Sequence, residues 1–515
     1  LAAHASGSAR YTATLAFRGG APELRLDSNL QGLALNLPAP LAKPAEAVWP
    51  LRVETSVLAQ HNDQASSDRL SLQLGPAAQP LVDLLAERLL RGTLAVGLPA
   101  GERLALPPQG LHAQVRVGEL DLDAWQALLR SSGTDALASA GEAVPQAVSL
   151  RADAVLTGGR RFHRVVVGAS REGAVWRANV DANELNGYVE FRPAGPAGAG
   201  SLYARLARLT LSPAAPSEAD ALLQQPSSVP ALDVAVDDLQ WGGRSLGRVE
   251  IEAVNRGGPT RVGEWRLNAL RATLPEARLS ASGNWAPLGG GEGGARRTAL
   301  QFRLDVDDSG ALLRRFGKDG LVRGGKGRLE GRVGWIGTPF DLDLGTLAGT
   351  LRLDVERGQF LKADPGAGRL LGVLSLQALP RRLVLDFRDV FSEGFAFDFV
   401  RGDARIDQGV IHTNNLQMKG VNAAVLMEGS ADLARETQDL KVVVVPELNA
   451  GTASLIATAI NPAVGLGSFL AQFLLRQPLQ SAATQEFRVS GGWADPQVEK
   501  LARPTPAPTP SPPLQ

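Results

Sequence analysis

Across most of its 515 residues the chain alternates apolar and polar side chains with a period of two. Only a β-strand puts every second residue on the same side, so the pattern demands strands that bury one face and wet the other. The stretch "LHAQVRVGELDLD" places Leu111, Ala113, Val115 and Val117 together, and "VSLRADAVL" does the same for Val148, Leu150, Ala152, Ala154 and Leu156. The series continues with Leu300, Phe302, Leu304 and Val306, then Leu351, Leu353 and Val355, then Leu383, Leu385 and Phe387. Arg, Gln, Asp and Glu occupy the intervening positions. A parallel sheet covered by helices reads apolar on both faces, so this alternation points to antiparallel strands with one dry side.

A chain of this length exceeds one compact core, which leaves several domains or an array of repeated modules. Internal similarity favours the array. "GRRFHRVVVGA" (159–169) and "GRSLGRVEIEA" (243–253) align without a gap, and "GFAFDFVRGDA" (394–404) follows them more loosely. Each has a turn glycine, an apolar residue three later (Phe162, Leu246, Phe397), a valine three after that (Val165, Val249, Val400) and an alanine four further on. Closures of the type Gly, Trp, Pro recur around Trp285, Trp335 and Trp493. Repeated strand modules of this kind stack on their neighbours.

Short helices are expected at "PLVDLLAERLL" near 79–91, at "DLDAWQALLR" within 121–142, and at "SEADALLQQ", "DSGALLRRFG" and "GRLLGVLSLQAL". The second begins with an aspartate cap and puts Leu122, Trp125, Leu128 and Leu129 on one side. The last residues, "PTPAPTPSPP", cannot pack a core.

Composition excludes several functions. With 53 basic and 53 acidic residues the net charge is zero, which gives no electrostatic footprint for nucleic acid. There is no cysteine, hence no disulfide framework and no thiolate metal site. The histidines His4, His61, His112, His163 and His412 are too far apart in sequence for local ligand spacing. Asp305, Asp307 and Asp308 lack the loop pattern of a calcium site. "GRSLG" around Ser245 mimics a nucleophile elbow, but an alternating strand follows it where a helix is required. "DPGAGRLLG" lacks the Lys of a phosphate loop. No catalytic residue, metal or cofactor is therefore assigned.

The stretches "LQGLALNLPAPLAKPA" (30–45), "GRVGWIGTPFDLDLGTLAGTLRLDVERGQFL" (331–361) and the long block from "NLQMKGVNAAVLMEGSADL" to "GLGSFLAQFLL" resemble the C-terminal half of the YhdP family of AsmA-like proteins. The resemblance implies a mainly β fold: an elongated, rolled antiparallel sheet forming an apolar groove, with short accessory helices. It implies a location in the periplasm of a Gram-negative cell, with an inner-membrane anchor that this stretch lacks, so the chain reads as a C-terminal portion of a longer protein. It also implies passive passage of phospholipid acyl chains between inner and outer membranes, with periplasmic or outer-membrane proteins as partners. Exposing two chains of about sixteen carbons to water costs on the order of 25 kcal/mol, so an unbroken apolar path is what such transport needs. Some 30 strands about 4.8 Å apart would give a path on the order of 140 Å. Candidate groove residues are Leu111, Val115, Leu150, Leu156, Phe302, Leu304, Leu351, Leu353, Leu383, Leu385 and Phe387. A TamB-like role in outer-membrane protein assembly and a closed structural scaffold are the alternatives.

From Leu448 to Leu475 no side chain is charged. Asn461 and Pro462 divide that run and suit a helix start, so two short helices are expected in place of one membrane span. In the second, Leu466, Phe469, Leu470, Phe473 and Leu474 form one apolar stripe. That stripe fits three settings: the plug of the sheet's end, a membrane interface, or a partner helix. The resulting organisation has β-groove modules over 1–145 and 146–300, AsmA-like β modules over 301–446, the uncharged helical pair at 447–480, a closing strand in 481–500, and a Pro-rich tail at 501–515.

Overall fold

A computed structural model describes residues 4–18, 21–58, 67–85, 88–98, 104–131, 144–195, 199–211, 229–256, 263–288, 295–339, 341–361, 395–420, 423–446, 465, 468 and 484–501. The fold is mainly β. Contacts divide the chain into two compact units, Leu1–Gly243 with Gly257–Thr260, and Arg244–Arg256 with Arg261–Gln515.

In the first unit, strands pair in chain order from Tyr11–Arg18 through Ala21–Ser28, Leu51–Leu58, Ser67–Leu74, Ala78–Leu85 and Arg88–Val96. The ladder then runs through Gly110–Asp121, Ala147–Thr157, Arg160–Glu172, Val175–Asp181, Leu185–Arg192, Ser201–Leu211 and Ala231–Trp241. Most pairs are antiparallel, as the alternation requires. Among the described residues three are parallel: Arg88–Val96 with Gly110–Asp121, that strand with Ala147–Thr157, and Ser201–Leu211 with Ala231–Trp241. At each the connection is a dozen residues or longer, the length a crossover needs.

One such crossover carries the helix Leu122–Ser131. Asp121 Oδ1 accepts the Ala124 N–H at 2.8 Å, the expected cap. The Asp123 carboxylate accepts the N–H groups of Gly158 and Gly159 at 2.8 and 3.0 Å, fastening the helix to a hairpin turn. Both glycines have positive φ, 57° and 68°, which a two-residue turn of this hand requires. Gly242 and Gly243 repeat that pair of angles at the aligned position of the internal repeat. The repeat valines Val165, Val249 and Val400 are all buried, as one structural module reused would have them.

The second unit is a twelve-strand ladder among the described residues. Its strands are Arg244–Asn255, Trp265–Thr273, Ala277–Pro287, Arg296–Val306, Val322–Ile336, Ala348–Phe360, Phe395–Asp407, Val410–Gly420, Ala423–Asp432, Thr437–Pro446, Gln485–Gly492 and Pro496–Lys500. Each described neighbouring pair is antiparallel. The helix Ser309–Arg315 begins where Asp308 accepts the Ala311 N–H at 2.9 Å, and Arg315 forks onto Glu276, with Nη2 to Oε2 at 2.9 Å. Neither ladder returns on itself, since Tyr11–Arg18 and Pro496–Lys500 each have one partner strand among the described residues.

The helix expected near 79–91 does not form. Ala78–Leu85 and Arg88–Val96 are strands instead. Leu81, Leu84 and Leu85 mimic helical spacing, but the flanking strands supply a reason to extend: Asp83, 1% exposed, is clasped by Arg69 at 2.7 Å and Arg91 at 2.8 Å. Cross-strand charge pairing outweighs the weak local propensity. The expected helices at 217–225 and 368–379, the helical pair at 447–480 and the Pro-rich tail lie outside the described residues, apart from Gly465, Ser468 and Leu501.

Candidate functional site

Strand register decides whether apolar side chains on successive strands meet, because a slip of one residue would turn a whole strand's set to the other face. In the second unit the register is kept. Ile251, Leu270, Ala281, Phe302, Gly331, Leu351 and Ala404 are direct partners across seven strands. A parallel row runs Val249, Ala272, Leu279, Leu304, Leu329, Leu353, Gly402. Six steps of about 4.8 Å make each row roughly 29 Å long. Gly331 belongs in this face for a steric reason: a Cβ there would come within 2.7 Å of the Leu351 side chain and 2.6 Å of the Thr350 carbonyl.

The first unit has its own row. Leu51, Leu74, Ala78, Val96, Val115, Leu150, Val167, Val180, Gly187, Leu206 and Val236 pair in succession across eleven strands, about 48 Å.

The degree of burial separates two regimes. Ile251, Leu270, Leu279, Phe302, Leu304, Leu329, Leu351 and Leu353 are only half-buried, and so are Val96, Val115, Leu150, Val167 and Val180. Ordinary core side chains are covered on all sides. Toward the last strands the same face closes. Met418, Val425, Met427, Val442 and Val444 are at most 2% exposed and pack with Phe360, Phe395, Phe397 and Phe487 in one cluster, which Leu313 of the second helix and Leu353 join from its edge. A smaller cluster of Trp335, Leu347 and Ile406 takes in Leu300 and Leu351. The apolar face therefore runs from an open stretch into a dry core. The three closure tryptophans are buried, with Trp285 directly opposite Trp265 and the Trp335 indole donating to the Thr338 and Asp341 carbonyls.

The sequence candidates Leu111, Val115, Leu150, Phe302, Leu304, Leu351 and Leu353 are half-buried members of these strands. Leu156 differs. It pairs with Arg161 and Asp121, while its neighbour Val155 is 5% exposed and packs with Ala152, Val165 and Phe162. The shift occurs beside Arg164, whose left-handed φ of 53° breaks the simple alternation. Leu383, Leu385, Phe387, Leu466, Phe469, Leu470, Phe473 and Leu474 lie outside the described residues.

The reverse face is laced by ion pairs within and between strands: in the first unit Asp27 takes Arg25 of its own strand and Arg52 of the next, and Arg177 pairs across strands with Glu172. In the second unit Arg248 and Arg271 flank Glu250, Arg303 and Arg328 flank Asp305, and Arg488 holds Asp439. Arg303 and Arg328 keep the Asp305 carboxyl below its usual range, and Arg69 with Arg91 do the same for Asp83 against the opposing effect of burial. The exposed cross-strand pairs, such as Arg52 with Asp27 and Arg328 with Asp305, add little stability but favour this register, whereas the Asp83 carboxylate is buried between its arginines. Sequence reasoning missed two features here: the Asp83 triad, and Lys43, 2% exposed, whose Nζ donates to the Leu30, Leu33 and Pro44 carbonyls. Ser245 lies in a strand with its hydroxyl accepting the Gly247 N–H, which is not the geometry of a nucleophile elbow.

These features define a class: open β ladders whose one face is a register-matched apolar strip and whose other face is charged. Comparison with known proteins narrows the class. The family described as YhdP protein matches residues 1–498, and the chain belongs to that family. Among curated proteins the intermembrane phospholipid transporter YhdP of Escherichia coli (strain K12) is 27% identical over 499 residues, 94% of this chain. The chain spans 38% of that relative's length. No solved structure matches the chain. Among the described residues no helix is long and apolar enough to cross a membrane.

Proposed function

We propose that this chain is a length of passive conduit for phospholipid in the periplasm, with acyl chains lying along the apolar rows and head groups left in water on the way between inner and outer membranes. The single observation that carries the reading is the register match of half-buried aliphatic residues over successive strands. It supports a strip that a hydrocarbon tail can follow without meeting a polar side chain. The relative's name, a phospholipid transporter, agrees with this chemistry. Each CH₂ moved from water onto such a strip gains about 0.8 kcal/mol, so a gap of a few strands would stall a lipid. The uncharged run 448–475, with Phe469 and Phe473, is proposed as the element at the exit mouth.

The test is phospholipid delivery to the outer membrane in cells whose copy of the protein carries Leu304→Asp and Leu329→Asp. Two carboxylates in adjacent positions of the row should stop delivery while the protein still accumulates. Undiminished delivery would remove the proposal, and Phe469→Asp with Phe473→Asp tests the exit in the same way.

A second reading, strand addition by client proteins, draws support from the edge strand Tyr11–Arg18. It has one partner strand among the described residues, and its Tyr11, Leu15 and Phe17 are 68%, 60% and 71% exposed. Client peptides captured at Leu15 in place of lipid captured at Phe302 would favour it.

A further inference from the structure

On the charged face of the second unit, one group of arginines breaks the pairing rule. Arg266, Arg297, Arg332, Arg352 and Arg405 are exposed and, among the described residues, make neither an ion pair nor a hydrogen bond. They lie together. Arg332, Arg352 and Arg405 line a hollow of about 1480 Å³ with Ser280, Gln301 and Thr350. A hollow of about 790 Å³ shares Arg332, Arg405, Gln301 and Thr350 and adds Arg266 and Arg297.

Register explains the cluster. Gln301, Arg332, Thr350, Arg405 and His412 are direct partners across five strands, and Arg352 sits one row away between Glu330 and Asp403. Direct partners have Cβ atoms about 5 Å apart, which sets Arg332 and Arg405 on either side of Thr350, with Arg352 two residues along the same strand. Arg297 is directed here too: a Cβ on Gly334 would meet its Nε and Nη2 at 3.0 Å, so the bare glycine is what admits the side chain.

Of the nearby carboxylates, one is neutralised by another arginine and two accept from neutral amides. Glu264 accepts from Asn284 at 2.8 Å, Asp403 from Asn415 at 2.9 Å, and Asp439 from Arg488. An asparagine amide does not cancel a carboxylate, so Glu264, Glu330, Asp403 and Asp407 stand against the five guanidinium groups, and the two hollows keep an excess of one positive charge carried on arginines that close no ion pair among the described residues. A chain of zero net charge has no general reason to gather them. Arginine forks match tetrahedral oxyanions, and the hydroxyl and amide groups of Thr350, Ser282 and Gln301 supply neutral donors beside them. The hollow is far larger than a single phosphate needs.

We propose that this hollow binds a multiply charged phosphate ester, either free or as the phosphorylated head group of a lipid, on the face opposite the apolar rows. Strand alternation puts Arg332 and Thr350 on one side of the sheet and Gly331 and Leu351 on the other. Leu270, Phe302, Gly331 and Leu351 of the first row also contribute to the wall of the hollow, so the two sites share strands and differ in the side of the sheet to which their side chains point; a loss of anion binding leaves the acyl path standing, and the reverse.

The probe is sodium tripolyphosphate, titrated calorimetrically into the full chain at low ionic strength. Saturable binding is expected that weakens as salt is added. Arg332→Gln with Arg405→Gln, both exposed positions, should weaken it by about tenfold or more, since hydrogen bonds to charged groups are lost. Arg177→Gln, in the ion-pair lacing of the first unit, should leave it unchanged. Co-sedimentation with phosphatidylcholine vesicles, with and without phosphatidic acid, separates the sources: added retention by phosphatidic acid that the double variant loses identifies a head group, and its absence beside tripolyphosphate binding identifies a soluble ester. No saturable binding, or equal binding by the double variant, overturns the proposal.

Discussion

Replacing Leu329 by alanine distinguishes an open apolar face from a closed one. Leu329 stands between Leu304 and Leu353 in the second row and is half-buried. If its outer side faces space that lipid or water can enter, truncation leaves no sealed void. The loss is then only the transfer free energy of a few half-covered carbons, about 1 kcal/mol. If other side chains close over it, a cavity forms and the cost rises to about 2–5 kcal/mol. Met427→Ala provides the internal standard, because Met427 is 1% exposed within the C-terminal cluster and should cost the larger amount. Urea unfolding followed by the buried Trp335 reads both variants in the same unit. A midpoint for Leu329→Ala as low as that for Met427→Ala would refute an open face in this stretch.

Other substitutions test the supports of the sheet. Asp83→Asn leaves Arg69 and Arg91 facing each other over a buried amide and should destabilise the first unit by about 3 kcal/mol, measured as a lowered thermal midpoint. Lys43→Met strands three carbonyls in a buried loop and should cost a similar amount, about 3 kcal/mol, with faster amide exchange over residues 29–49. Asp308→Ala removes the cap of Ser309–Arg315 and should cost about 1 kcal/mol. Acid should also destabilise the fold. Asp83, Glu276, Asp305 and Asp439 each have a carboxyl held below its ordinary value, chiefly by a bonded arginine. Their contribution is complete above the unfolded carboxylate range near pH 4 and fades as pH falls through the lowered values, so the melting temperature should drop below about pH 4 and stay level above it.

The period-two alternation was enough to foresee strands such as Arg296–Val306 and Ala348–Phe360, because each buries one face and nothing local contradicts it. The recurrence of the repeat valines and of the three closure tryptophans was visible in the sequence, while their burial comes from the structure. The alternation failed where long-range partners outweigh local preference. Asp83 turns a helix-like segment into a hairpin strand through arginines fourteen residues before and eight after it. The switch from Leu156 to Val155 depends on the left-handed Arg164, which no pattern announces. Parallel pairing follows from crossover length, which the strand sequences themselves do not carry. The arginine hollow was hidden for the opposite reason: Arg332, Arg352 and Arg405 occupy ordinary solvent-side positions, and only the register of separate strands sets them side by side. Burial also could not be read ahead, since Leu353 and Val425 look alike in sequence yet one is half-covered and the other is sealed.

The most direct test is a photo-crosslinker walk across the sheet in living cells, placing the reactive residue in turn at Ile251, Leu270, Phe302 and Leu351 on one face and at Ser280, Gln301 and Thr350 on the other. Phospholipid adducts should form at every position of the first set and, through their acyl chains, at none of the second. Acyl adducts distributed equally over both faces, or absent from the apolar row, would contradict the conduit.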